Sequence, residues 1–254
     1  QMERFSVIWG EMVEKASEEQ TKALMQMMIG LINEWMDEGN WSGLLRTFLV
    51  LRKLSAKPSF KNMVSMIVQA SASPTALQRL KPHLEDLHPR SARMALRFHL
   101  LLGRPGLEAL CRMLADVSPG PVIDGFEAAF KAEKINPMGL YLSRLRSREI
   151  MPVVHAIRRM ASMAKHPMVV KALRAAVQRE EREIRNAALM ALREDGDGST
   201  LTGWGRALFD PDAKIRSSAV RALARNPHTI GRSALLERVR DKEIRSVVEG
   251  ELSA

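Results

Sequence analysis

One phrase is written three times. Residues 181–192 read EREIRNAALMAL, 212–223 read DAKIRSSAVRAL and 241–252 read DKEIRSVVEGEL. Each copy sets an acid, then Ile-Arg three residues on, then small apolar residues, and the isoleucines Ile184, Ile215 and Ile244 stand 31 and 29 residues apart. In the middle copy Ile215, Ala219, Ala222 and Leu223 fall at i, i+4, i+7 and i+8, one stripe of an α-helix, while Arg216, Ser217 and Arg221 lie off it. Ile184, Ala188, Ala191 and Leu192 repeat the stripe, as do Ile244, Val248 and Leu252. A helix too small to bury its own apolar face, repeated at a near-constant interval, predicts a stack of like units. The three isoleucines are expected to be buried in equivalent places.

Each of these helices follows another. The first helices of the last three units are expected over 167–179, 200–209 and 230–240. Asp210 is expected to cap the helix after it, with Pro211 in the first turn, where a missing N–H leaves no bond unmade. Upstream the period persists while the letters change. HPRSARMALRFHLLLG follows a first helix over 75–84, PGPVIDGFEAAFKAE one over 106–115, and SREIMPVVHAIRRMASM one over 137–145. Second helices are therefore expected from about 89, 120, 150, 181, 212 and 241, with prolines at the corners between them. The units so defined are 74–103, 104–134, 135–165, 166–195, 196–226 and 227–254.

The D/E-x-x-Ile-Arg-x-x-Ala/Val pattern on a second helix resembles the HEAT repeat in its short bacterial form. The resemblance runs over 167–254 in its clearest letters and over 74–166 in its period. It implies an all-α fold: a right-handed, armadillo-like α-solenoid of about six helical hairpins, with second helices lining the concave face. Residues 1–73 read as a divergent helical cap or as degenerate repeats. Ala23, Met27 and Trp35 keep helical rhythm, Gly39-Asn40 interrupts it, and Leu44, Phe48, Leu51 and Leu54 resume it.

Composition sharpens the choice of partner. The net charge is +10, yet residues 1–40 hold three basic and eight acidic residues, against 36 and 21 in 41–254. A body at +15 with an amino-terminal stretch at −5 invites an acidic partner. Two sets of arginines are separated by spacing. Arg185, Arg216 and Arg245 have Glu181, Asp212 and Asp241 four residues before them, and are expected to form a structural ladder. Arg93, Arg97, Arg158, Arg159, Arg221 and Arg225 have no such acid, and by the resemblance would line a basic concave surface. The sixteen methionines suit adaptable contact surfaces, and the amino-terminal helices are a further place for self-association.

Reaction chemistry is sparse. The six histidines include no i, i+4 pair and no His-Glu dipeptide, which the HEAT-like diiron hydroxylases require, so no metal is expected. The loop EDGDGST at 194–200 lacks the third acid and the distal Glu of a calcium loop and reads as a turn. Cys111, the sole cysteine, lies in an apolar helix and reads as a structural thiol in a reducing, cytoplasmic setting. No apolar run is long enough to span a membrane, and the opening QMERFSVIWG lacks the pattern of a signal peptide. Because it begins with Gln, the chain is expected to be a piece of a longer one. The expected function is a non-enzymatic protein–protein interaction scaffold, without cofactor, that binds an acidic protein or peptide. Nucleic-acid binding is the alternative. A fold-level likeness to the alkylpurine DNA glycosylases implies concave aromatics beside an acid; here Trp9, Trp35 and Trp41 lie in the amino-terminal region and Trp204 in a first helix expected to face outward. The phycobilin lyases with HEAT-like repeats share the fold only, since nothing in the sequence marks a pigment site.

Overall fold

The computed structural model describes residues 16–192 and 204–224. Every regular element among them is helical. The chain divides into two compact units, 1–144 and 145–254.

In the first unit α1 (Glu18–Asp37) opens with a reciprocal cap. Ser17 Oγ accepts the Gln20 N–H while Gln20 Oε1 accepts the Ser17 N–H. It ends at Gly39, whose φ of +63° favours glycine, and Asn40 then caps α2 (Trp41–Leu54) by accepting the Gly43 N–H. Leu44, Phe48, Leu51 and Leu54 are buried, as their spacing requires. α3 (Pro58–Ser71) follows and packs on both preceding helices.

The next expected helix is broken. Residues 75–84 divide into α4 (Pro74–Gln78) and α5 (Pro82–Glu85), because Pro82 offers no N–H to continue the ladder, even though Lys81 before it keeps helical backbone. A 3-10 turn at Pro89–Ser91 leads into α6 (Ala92–Leu101), followed by α7 (Gly103–Met113), α8 (Pro121–Ala132) and α9 (Met138–Arg144). α6 packs on α2, α7 and α8, and α7 packs on α9. Trp41, Phe48, Phe98 and His99 form an aromatic cluster between α2 and α6, with Phe48 and Phe98 edge to face at 5.1 Å. This cluster joins the amino-terminal helices to the first hairpins, and both belong to the compact unit that ends at Arg144.

Two glycines allow close approach. A Cβ on Gly106 would stand 2.4 Å from the His99 carbonyl oxygen, and one on Gly125 would stand 2.9 Å from Pro89 Cα. Arg144 is fully buried and donates from Nη1 to the carbonyls of Leu114 (2.7 Å), at the end of α7, and Val117 (2.8 Å), in the loop after it.

The second unit contains α10 (Ile150–Met160), α11 (Pro167–Ala176), α12 (Arg182–Leu192), a helical turn at 204–207 and α13 (Ala213–Ala224). α12 packs on α10 and on α11, so consecutive second helices lie against each other. Ile184 and Ile215 are both buried, as are Ala188, Ala219, Leu192 and Leu223 behind them. Ile244 lies outside the described residues. Trp204 is buried rather than outward-facing, since its turn packs its large side chain inward with Ala207 and Leu208.

Candidate functional site

α10 and α12 each turn one stripe inward and leave another uncovered. On α10 the inward residues are Val153, Ile157 and Met160, and the uncovered ones are Met151 and Arg158. On α12 the inward residues are Ile184, Leu189 and Leu192, and the uncovered ones are Glu183, Asn186 and Met190. Between the two helices runs a groove of roughly 430 Å³. Val154 and Ala191 form its buried floor, and the small Ala187 and Ala161 leave it open. Met151 is 61% exposed and Met190 41% exposed, so two flexible thioethers stand in water on opposite walls. Covering the exposed part of one such side chain is worth at most about 1–2 kcal/mol, before the costs of association. Arg158 stands in the same groove and makes no side-chain hydrogen bond or ion pair with any described residue.

The other arginines expected on a basic surface are differently placed. Arg93 and Arg97 share a single carboxylate, Glu133, at 2.6 and 3.5 Å, which removes one of their two charges. Arg221 is exposed but donates from Nη2 to Ser217 Oγ on its own helix at 2.8 Å. Arg159 is exposed on α10 beside Arg158. Arg225 lies outside the described residues, as do Arg245 and Asp241.

Arg185 does not bond Glu181, the acid four residues before it, and like Arg216 it reaches back to main-chain carbonyls. Arg185 Nη1 donates to the carbonyls of Arg179 and Glu180, and Arg216 Nη1 donates to those of Asp210 and Pro211. Both arginines thus clasp the turn that leads into their own helix, at i−6 and i−5. Glu181 instead takes both hydrogen bonds of Arg179, which hold its carboxyl at about 2. Asp212 is the cap of α13, accepting the N–H groups of Lys214 and Ile215, and its other oxygen meets Arg182 at 2.7 Å. Asp210, expected as the cap, stands two residues too early and accepts the Asp212 N–H.

The cross-unit element of the expected ladder is a different pair. Arg185 reaches Asp210 with two parallel bonds, Nε to Oδ2 at 2.7 Å and Nη2 to Oδ1 at 2.9 Å. The side chains are only 12% and 8% exposed. Burial alone would raise the Asp210 carboxyl; the hydrogen bonds from Arg185 and the Asp212 N–H outweigh it and hold it below the usual carboxylate range. Arg185 is raised in turn, chiefly by its hydrogen bonds to Asp210.

Neither a family model nor a curated protein sequence matches this chain. The groove therefore stands on its own chemistry: an apolar floor, two exposed methionines, a guanidinium with no partner among the described residues, and a carboxylate and an amide on the far wall. Its lining offers apolar contact, thioethers and charge to whatever enters it.

Of the residues lining this groove, spacing singled out Arg158 and not Met151, Met190 or Asn186. The signal for Met190 was present: it is a large apolar side chain lying off the stripe of Ile184, Ala188, Ala191 and Leu192.

Proposed function

We propose that this chain is a non-enzymatic protein–protein interaction scaffold, an α-solenoid of HEAT type whose second-helix face binds an acidic protein or peptide. The observation that carries it is the α10–α12 groove, where Met151 and Met190 are exposed around the unpaired Arg158. Methionines re-pack around varied apolar anchors, and an unpaired guanidinium selects a carboxylate beside them. The packing of α12 on α10, and of α2 and α8 on α6, supports the stacked-hairpin arrangement within each unit. The single buried cysteine is in keeping with a cytoplasmic setting.

The test is fluorescence anisotropy of the full chain with a labelled amphipathic peptide carrying leucine on one face and glutamate on the other. Binding that weakens at least tenfold in Arg158→Glu, and is lost when the glutamates are replaced by lysine, is the expected result. Exposed Arg158 and Arg159, with a net charge of +10, also suit a phosphate backbone. Duplex and single-stranded DNA in a salt series form the second arm. DNA binding with a steep salt slope, and no peptide binding, would replace the scaffold with a nucleic-acid-binding protein.

A further inference from the structure

The same chain carries a surface that matches this groove. α1 is fixed by its inner face, where Met28, Ile32 and Met36 are buried. Its outer face presents Glu19, Ala23, Gln26, Met27, Gly30 and Glu34, all exposed. Met27 is 60% exposed. The side chains of Glu19 and Glu34 pair with no described residue. Gly30 stands mid-helix where a Cβ would meet nothing within 4 Å, so no packing among the described residues calls for a residue that weakens a helix. An approaching helix would find close access there.

The spacings agree. Met27 and Glu34 are seven residues apart on α1, and Met151 and Arg158 are seven apart on α10; both intervals are about 10.5 Å along a helix. A helix laid along α10 in the same direction sets Met27 against Met151 as it sets Glu34 against Arg158. Gln26, just before Met27, and Gly30, between Met27 and Glu34, carry no charge to oppose Glu183. The long-range balance points the same way, with −5 in residues 1–40 and +15 in the remainder.

We infer that the outer face of α1 of one copy docks in the α10–α12 groove of a second copy, joining chains head to tail. This rests on the groove being a protein-binding site and names its occupant. The contact is small, a single helix face, so association is weak and concentration-dependent.

Sedimentation velocity of the full chain, from about 10 µM to about 1 mM at low salt, tests it. The weight-average mass is expected to at least double across that range and to fall back on adding salt. Arg158→Glu alone and Glu34→Arg alone each keep the chain monomeric, because each sets like charges together. An equimolar mixture of the two variants associates again, because every α1 then meets a groove of opposite charge. Both positions are exposed, and circular dichroism checks that the folds are unchanged. Wild-type chain that stays monomeric at the highest concentration overturns the inference, as do variants that associate like wild type or a mixture that stays monomeric. The leucine–glutamate peptide separates the two failures. Peptide binding by a strictly monomeric chain removes only the second copy as occupant, whereas loss of both removes the groove as a protein-binding site.

Discussion

Replacing Arg185 with methionine tests how the triplicated motif holds its turns. The arginine makes four hydrogen bonds, two to Asp210 and two to the carbonyls of Arg179 and Glu180. Methionine keeps much of the stem and removes all four. Removing one partner of a buried ion pair costs about 3–5 kcal/mol, chiefly because the other charge is left buried and unpaired. Asp210 is 8% exposed and keeps one hydrogen bond, from the Asp212 N–H, so the lower end applies, about 3 kcal/mol. Urea unfolding followed by circular dichroism measures it, with Asp210→Asn and Glu181→Ala completing two double-mutant cycles. The geometry predicts a coupling of about 2 kcal/mol between Arg185 and Asp210 and less than about 0.5 kcal/mol between Arg185 and Glu181. Coupling to Glu181 in place of Asp210 would refute the clasp and restore the in-helix pair. A loss below about 0.5 kcal/mol for Arg185→Met would show that the pair behaves as a surface contact.

Other changes have equally definite outcomes. Gly106→Ala brings a Cβ to 2.4 Å from the His99 carbonyl and 2.6 Å from Leu102 Cβ, and is expected to cost about 1–3 kcal/mol in urea unfolding. Gly30→Ala meets nothing and is expected to stabilise by up to about 1 kcal/mol; a loss there would contradict the open outer face of α1. Burial holds His99 at about 4 against its ordinary 6.5, while its Nδ1–H donates to the Ala95 carbonyl. Neutral His99 therefore stabilises fully above pH 6.5, and that contribution, about 3 kcal/mol, is lost as the pH falls to 4. His99→Leu should flatten the stability profile between those values, and an unchanged slope would assign the pH dependence to other groups. Burial also pushes the Cys111 thiol up to about 12, so a thiol reagent should label it only as the chain unfolds; rapid labelling of native protein would show that α7 opens.

The period of the sequence located the second helices well. Starts expected at 120, 150, 181 and 212 are found at Pro121, Ile150, Arg182 and Ala213. Apolar stripes carry that information because burial repeats with the helix turn. Partners far along the chain are not written in any stripe. Asp210 lies 25 residues from Arg185, and a nearer acid at i−4 gave the more economical pairing. No stripe or spacing singles out Arg144; the carbonyls of Leu114 and Val117, 30 and 27 residues earlier, draw it inside. Burial lowers it to about 10, against the pull of Glu127, Asp116 and Tyr141. The groove was half legible, since Arg158 lacked an acid at i−4, but its walls became a site only when α10 and α12 were brought side by side.

The groove itself can be watched through its methionines. Methyl-labelled methionine in the full chain, with Met151 and Met190 assigned by leucine substitution, is titrated with the leucine–glutamate peptide and followed by NMR. The account predicts that the Met151 and Met190 methyl signals move together while buried Met28, Met36 and Met160 stay in place, and that Arg158→Glu abolishes the shifts. Peptide binding that leaves Met151 and Met190 unmoved, or shifts equally large with a lysine peptide, would contradict it.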